Sequence, residues 1–141
     1  MDGFKIAGGT IPPNILVTNQ RPDLVVLYEE TGQIAIVELT IPFETNIEDA
    51  HNRKEERYRE LVQDLQDNSY DVTFLAIEVG ARGQVDRCNK LRFKRLLKLC
   101  NSPVRPRDFI HKVPEYAVLS SFTIFYARKE RVWGEVAYLD L

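Results

Sequence analysis

The chain has 141 residues, of which 44% are hydrophobic and 28% charged, and its net charge is −2. This composition is typical of a soluble globular protein of one domain, so we expect a single domain over residues 1–141, with an irregular segment over 1–14. No apolar run approaches the roughly 18 residues of a membrane-spanning helix. The two cysteines lack the paired spacing of a zinc finger, so that class of protein is excluded.

The charges are distributed unevenly along the chain. Residues 1–80 contain six basic and fifteen acidic residues, whereas residues 81–141 contain thirteen basic and six acidic ones. An acidic half can hold a metal ion while a basic half meets phosphate groups. Two ordinary solvated surfaces would give the same distribution, so charge alone does not decide.

The first half of the chain predicts a hairpin. Within the turn-rich first 20 residues, Ile15–Thr18 is a possible short strand. The segments Leu24–Glu29 and Gln33–Thr40 are rich in apolar and β-branched residues, which favours two strands joined by a turn at Thr31-Gly32. Apolar side chains fall on both faces of each strand, as in sheets covered by helices on both sides.

The rest of the chain alternates helix and strand. Asn46 is typical of a helix N-cap, and the helical pattern runs to about Asn68. A strong strand follows at Val72–Val79, and Val85–Cys100 predicts a basic amphipathic helix. A loop follows, marked by Pro103, Pro106 and Pro114. For Tyr116–Arg128, the pattern favours helix over strand. This order predicts an α/β fold, a mixed β-sheet flanked by helices.

Two acidic residues stand at unusual places in the hairpin. Glu38 interrupts the apolar run of the second strand, where an ionised carboxylate is costly unless a partner offsets it. A two-residue turn, or a four-residue loop that keeps the same register, would place Asp23 opposite Thr40, so that Asp23 and Glu38 are diagonal neighbours on one face, about 7–8 Å apart. A three-residue loop would instead send the two carboxylates to opposite faces. Two carboxylates at that spacing can share one hard cation.

The helix that follows this strand supplies a third unusual residue. At about 100° per residue, Lys54 falls within the apolar stripe of the helix and should point toward the sheet; the stripe consists of Ile47, Ala50, Tyr58, Leu61 and Leu65. A buried lysine needs a negative partner, and Asp23 and Glu38 are available. The simpler alternatives are a buried ion pair that only fixes the register, or a Glu38 that faces solvent on an edge strand.

These residues resemble a known nuclease signature. Arg21-Pro22-Asp23, followed after fourteen residues by Glu38-Leu39-Thr40, looks like the PD-(D/E)XK motif, with Thr40 at the position that usually holds lysine. The lysine that the following helix supplies in Lys54-Glu55-Glu56-Arg57-Tyr58 resembles the restriction-like endonuclease domain of site-specific non-LTR retrotransposons and related transposon-derived proteins. The segment Glu78–Gly83 is also similar, and the resemblance covers roughly residues 15–130.

The resemblance implies a restriction-endonuclease-like fold and a DNA endonuclease dependent on Mg²⁺ or Mn²⁺. The metal would be held by Asp23, Glu38 and the backbone carbonyl of Leu39. Lys54 would complete the catalytic set by neutralising developing negative charge or by orienting the attacking water.

Other residues are implied less specifically. Arg21, Arg57 and Arg82 are candidates for phosphate contacts, although each is more often an ordinary surface arginine. Thr40 and Tyr58 could assist the site, although Tyr58 is more often a core residue; His51 lies near the same helix face, although a lone histidine is usually structural.

Several alternatives remain open. The fold could be a catalytically inactive module that binds nucleic acid or protein, a Holliday-junction-resolvase-like enzyme, or an oligomerising module that uses the basic helix Arg87–Lys98. The nuclease hypothesis implies DNA as partner, a nuclear or other intracellular location, no membrane, and a possible homodimer. The chain could also belong to a longer protein that carries a reverse transcriptase or other domains.

Overall fold

The protein is a mixed α/β fold, as predicted, and the computed structural model describes residues 4–129. A four-stranded sheet has the spatial order β1-β2-β3-β4. The first three strands are antiparallel neighbours, and β4 runs parallel to β3. The strands are β1 (Phe4–Ile6), β2 (Leu24–Tyr28), β3 (Gln33–Thr40) and β4 (Asp71–Glu78).

Three helices cover the sheet: α1 (Ile47–Asp67), α2 (Arg87–Leu99) and α3 (Pro106–Lys129). Helix α1 connects β3 to β4 and packs on one face through Tyr58, Leu61 and Leu65. Helices α2 and α3 cover the opposite face. Because side chains alternate along a strand, Ile34 and Ile36 of β3 pack under α1, and Glu38 falls on the same side. The architecture therefore places Glu38 beneath the helix that carries Lys54.

The register of the β2–β3 hairpin differs from the prediction. The loop contains residues 29–32, Tyr28 pairs with Gln33, and Gly32 has a positive φ of 68°. The predicted two-residue turn is therefore wrong, and so is the predicted pairing of Asp23 with Thr40. Both registers bury the same residues because they differ by two positions, so the apolar pattern could not choose between them.

The N-terminal segment contains a strand that its composition did not indicate. Residues 4–6, within the segment predicted to be irregular, pair with β2 as strand β1. The strand predicted at Ile15–Thr18 is wrong, because the backbone N–H groups of Ile15 and Leu16 donate to the Pro12 carbonyl in a turn. Both residues still contribute apolar side chains to the core under α1.

Helix α3 is longer than predicted. The helix expected at Tyr116–Arg128 is confirmed, but it begins at Pro106 and continues through Pro114, so most of the predicted proline-rich loop is helical. Pro106 is tolerated because the first residue of a helix needs no N–H partner. Pro114 packs against the loop after β4, where a Cβ on Gly83 would lie 3.2 Å from the proline ring. None of the helices within residues 4–129 is long and apolar enough to cross a membrane.

Candidate active site

The two acidic residues of the hairpin meet where β2 begins and β3 ends. Asp23 directly precedes β2, and the observed register, continued by one residue, places it opposite Glu38. The backbone N–H of Asp23 donates to Glu38 Oε1 at 3.0 Å, and Asp23 Oδ2 accepts the backbone N–H of Leu39 at 2.8 Å. Each carboxylate is therefore oriented by the backbone of the opposite strand.

The regular β2–β3 ladder ends where Pro22 precedes Asp23. The β2–β3 pairing ends at Leu24 and Val37, and the buried Pro22 has no N–H with which to continue it. The Leu39 N–H finds its acceptor in the Asp23 side chain instead. The missing N–H of Pro22 leaves the Leu39 carbonyl without a ladder donor, and the Asp23 side chain takes the place of a ladder acceptor for the Leu39 N–H.

Lys54 reaches Glu38 from α1, as the helical periodicity predicted. Its Nζ donates to Glu38 Oε2 at 2.6 Å; Glu38 is 2% exposed and the Lys54 side chain 24% exposed. The alternative of a solvent-facing Glu38 on an edge strand is wrong, because β3 lies inside the sheet. A carboxylate this buried requires such a partner, and the partly exposed lysine keeps one side of the pair open to solvent.

Tyr58 closes the inner side of the site. It is almost fully buried, and its hydroxyl donates to the backbone carbonyl of Arg21 at 3.2 Å. Burial, followed by hydrogen bonding to Glu38 and the negative charges of Glu38 and Asp23, raises the pKa of Tyr58 well above its usual value of 10.0. The hydroxyl therefore stays protonated and serves as a donor to the chain segment that leads into Asp23.

We expect Tyr58→Phe to lower the free energy of unfolding by about 1 kcal/mol, the usual contribution of one hydrogen bond. Because the raised pKa keeps the tyrosine protonated, the loss should be full below pH 10.0 and shrink only as the parent hydroxyl ionises at higher pH. Urea denaturation measures it. Tyr116→Phe, on an exposed tyrosine, is the matched control. Equal stability of both variants at neutral pH would contradict the role of Tyr58.

The three arginines predicted to contact phosphate are placed differently. Arg82 is tied to Glu44, whose carboxylate accepts its backbone N–H at 2.8 Å and its Nε at 3.1 Å. Burial acts to raise the pKa of Glu44, but hydrogen bonds from its own backbone and Arg82 outweigh it and lower the pKa overall. Arg57 lies 5.5 Å from the ring centre of Tyr58, and Arg21 is exposed. Their contacts with phosphate stay predictions.

Thr40 lies on the β3 face that carries Glu38, at the position where the motif usually has lysine. Its hydroxyl oxygen is buried and has no hydrogen-bond partner among residues 4–129. Its register partner on β4 is Glu78. The buried Thr40 hydroxyl, which has no hydrogen-bond partner within the described residues, therefore lies between the buried carboxylates of Glu38 and Glu78.

The donor set at Asp23 and Glu38 suits a hard cation with several water ligands. Asp23 Oδ1 accepts no hydrogen bond within the described range, and Glu38 faces it across the hairpin. No group of three or more His, Cys, Asp or Glu residues within that range is placed to hold a metal ion. Mg²⁺ commonly binds through one or two carboxylates and keeps several waters, so two acids and a backbone carbonyl fit it; zinc, which prefers nitrogen and sulfur ligands, fits poorly.

A second polar cluster, which the sequence prediction missed, lies on the neighbouring strand. Glu78, at the end of β4, is 1% exposed and contacts His51 of α1 and Arg92 of α2. The sequence contains a signal for this cluster, because Glu78 is an acidic residue at the end of an apolar strand. Glu38 shows the same signal within the apolar run of β3. Arg92, however, reaches Glu78 from a helix on the opposite side of the sheet, which periodicity does not reveal.

No protein-family model matches the chain, and no curated protein matches it significantly.

Proposed function

We propose that the chain is a divalent-metal-dependent DNA endonuclease with a restriction-endonuclease-like fold. The observation that carries the proposal is the convergence of Asp23, Glu38 and Lys54 at one end of the sheet. The acids are interlocked across the hairpin, and the amine lies 2.6 Å from Glu38 Oε2. Two carboxylates can hold a divalent metal ion, and a lysine from the next helix can stabilise the charge that develops in phosphodiester hydrolysis.

Each residue has a distinct role in the proposed reaction. Asp23, Glu38 and the Leu39 carbonyl would hold Mg²⁺ or Mn²⁺, which supplies an activated water and stabilises negative charge. Lys54 places a positive charge beside the scissile phosphate, whose charge increases in the transition state. Tyr58 holds the Arg21 carbonyl, and so the backbone that leads into Asp23, in place.

A basic groove between α2 and α3 supports nucleic acid as the substrate. It encloses about 530 Å³ and is lined by Lys90, Lys94, Arg107 and His111, with no acidic residue in its lining. None of the four forms an ion pair with another described residue. The positive charges of Lys90, Lys94 and Arg107, which form no ion pair within the described residues, repel one another on this concave surface, and a phosphate backbone relieves that repulsion.

The double variant Lys94→Glu/Arg107→Glu is expected to weaken binding to duplex DNA more than tenfold and to lower the slope of log K against log salt by about 2. Fluorescence anisotropy in EDTA measures binding without cleavage. Arg53→Glu, an exposed charge reversal on α1, is the control and should change affinity much less. Equal weakening by both variants would count against a specific contact in the groove.

The catalytic proposal is tested with supercoiled plasmid DNA. The parent chain should nick or linearise it in Mg²⁺ or Mn²⁺ and should stop when EDTA is added. Asp23→Asn, which keeps the size of the side chain but removes a charged metal ligand, should lower the cleavage rate at least a hundredfold, on the order of the loss of one key transition-state contact. A parent chain that never cleaves DNA would contradict the proposal, and so would an Asp23→Asn variant that matches the parent.

Branched and linear DNA compared in one assay separate a junction-resolving enzyme from one that cuts target DNA for transposable-element integration.

An inactive module that binds nucleic acid or protein is the second candidate. The observations that favour it are the Lys54–Glu38 ion pair, which occupies one oxygen of the proposed metal site, and Thr40 at the position of the usual lysine. This candidate predicts DNA binding through the basic groove without cleavage by any divalent metal.

A further inference from the structure

The Glu78 cluster joins three elements around one buried carboxylate. Glu78 Oε1 lies 2.9 Å from His51 Nδ1, and Glu78 Oε2 accepts from Arg92 at 3.3 Å. The backbone N–H of Glu78 donates to Asn89 Oδ1 at 2.8 Å, and Arg92 also donates to that oxygen. The imidazole of His51 is thus held at one nitrogen by a fixed, water-excluded acid.

This cluster adjoins the proposed active site on the same face of the sheet. His51 precedes Lys54 by three residues on α1, a spacing that places two side chains side by side on a helix. Thr40 pairs with Glu78 across β3 and β4 and lies two residues beyond Glu38. Two carboxylate–base pairs, Glu38 with Lys54 and Glu78 with His51, therefore lie in one row. The Thr40 hydroxyl, which has no hydrogen-bond partner among residues 4–129, lies between them.

Glu78 is poorly explained as a stabilising residue. Burial raises its pKa above the usual 4.5 even though His51 and Arg92 both act to lower it. Ionised Glu78 is therefore a net cost to the fold at neutral pH, and that cost falls as pH decreases toward the usual value. Buried carboxylates held at a cost next to a histidine are typical of groups that orient an acid–base catalyst.

We propose that His51 is a proton donor in phosphodiester cleavage and that Glu78 is the positioning residue that orients it. This inference rests on the proposed nuclease function. In the step, the oxygen of water forms a bond to phosphorus and the bond between phosphorus and the leaving oxygen breaks. The proton on His51 Nε2 passes to the leaving oxygen, and the proton of the attacking water is released to solvent. Glu78 accepts the hydrogen bond from the Nδ1–H of His51 and so holds the ring in this orientation throughout the step.

The outer nitrogen of His51 can be reached by a substrate. Nε2 lies 3.1 Å from Glu55, whose side chain is 55% exposed and four residues along the same helix. Exposed pairs of this kind are weak, so a bound phosphodiester can displace Glu55. The charged groups around the imidazole are Glu55 on α1, Glu78 on β4 and, through Glu78, Arg92 on α2; the Lys54–Glu38 pair lies one helical turn away.

Single-turnover cleavage measured across pH tests the inference. We expect His51→Gln to lower the cleavage rate about a hundredfold. In the parent, the rate should fall with rising pH as the imidazole donor loses its proton, and this fall should be absent in the variant. Glu78→Gln should lower the rate on the order of tenfold, as orienting partners of a functional histidine do, and should melt no lower than the parent at neutral pH. Glu56→Gln, an exposed change on the same helix, is the control with an unchanged profile.

The outcomes separate the two proposals. A parent that cleaves while folded His51→Gln keeps the parent rate and pH profile overturns the role of His51 and leaves the nuclease proposal intact. A Glu78→Gln variant that is less stable yet cleaves normally overturns the positioning role and makes the cluster structural. If the parent cleaves no DNA with any divalent metal, both proposals fail.

Discussion

Lys54→Ala is expected to lower the single-turnover rate of DNA cleavage by a factor on the order of 10²–10³, the usual cost of losing one group that stabilises transition-state charge. Its amine is the basic group that the fold directs at Glu38, and no second lysine stands at the usual motif position, which Thr40 occupies. Quenched-flow or gel measurements at saturating protein and Mg²⁺ separate this loss from weaker DNA binding.

The same substitution has a structural effect that must be measured in parallel. Removing Lys54 leaves the buried Glu38 carboxylate without its positively charged partner. Breaking a buried ion pair lowers the free energy of unfolding by about 3–5 kcal/mol. Because Lys54 is partly exposed, we expect a loss near the lower end of this range. Lys54→Arg keeps the charge and separates stability from catalysis: we expect it to fold like the parent and to cleave slowly. A folded Lys54→Ala variant with the parent rate would remove this lysine from the mechanism.

The second large effect is expected in metal binding. Mn²⁺ at one hundred times its dissociation constant stabilises a protein that binds it only when folded by about 2.7 kcal/mol. For a domain of this size, that corresponds to a rise in melting temperature on the order of 5–10 °C. Glu38→Gln should abolish the rise, because it replaces a charged ligand with a neutral one. Differential scanning calorimetry with and without Mn²⁺ measures the difference.

The neighbouring carboxylate provides a matched control for this experiment. Glu78→Gln makes the same change at an equally buried glutamate on the adjacent strand, one outside the proposed metal ligands. It should keep the full Mn²⁺-dependent rise. If both variants lose the rise, or if Glu38→Gln keeps it, the ion does not bind where the two hairpin acids meet.

The sequence predicts the central part of the fold because its periodicities are strong there. Gln33–Thr40 is the observed β3, and the apolar stripe of α1 correctly directs Lys54 toward the sheet. Burying a charge is costly, so two residues of opposite charge within apolar patterns predict a contact with each other. The contact between Glu38 and Lys54 could therefore be predicted.

Other features depend on interactions that a single sequence does not display. The hairpin register depends on loop geometry around Gly32, since both registers bury the same side chains. Strand β1 has only three residues and is held by its pairing with β2. The turn-forming residues Gly8-Gly9 beside it predict an irregular segment, so local composition does not indicate the strand. Pro114 signals a helix end locally, but α3 continues through it, and the proline ring lies against Gly83. Tertiary contacts outweighed local preference at each of these places.

We propose that Asp23 and Glu38 together hold a divalent cation beside Lys54. Anomalous diffraction from crystals of the chain soaked in Mn²⁺ tests it most directly. We predict one strong anomalous peak between the two carboxylates, about 2.0–2.6 Å from oxygens of both, with the Leu39 carbonyl as a further ligand. A peak elsewhere on the protein, or none at millimolar Mn²⁺ with the Lys54–Glu38 pair intact, would contradict the account.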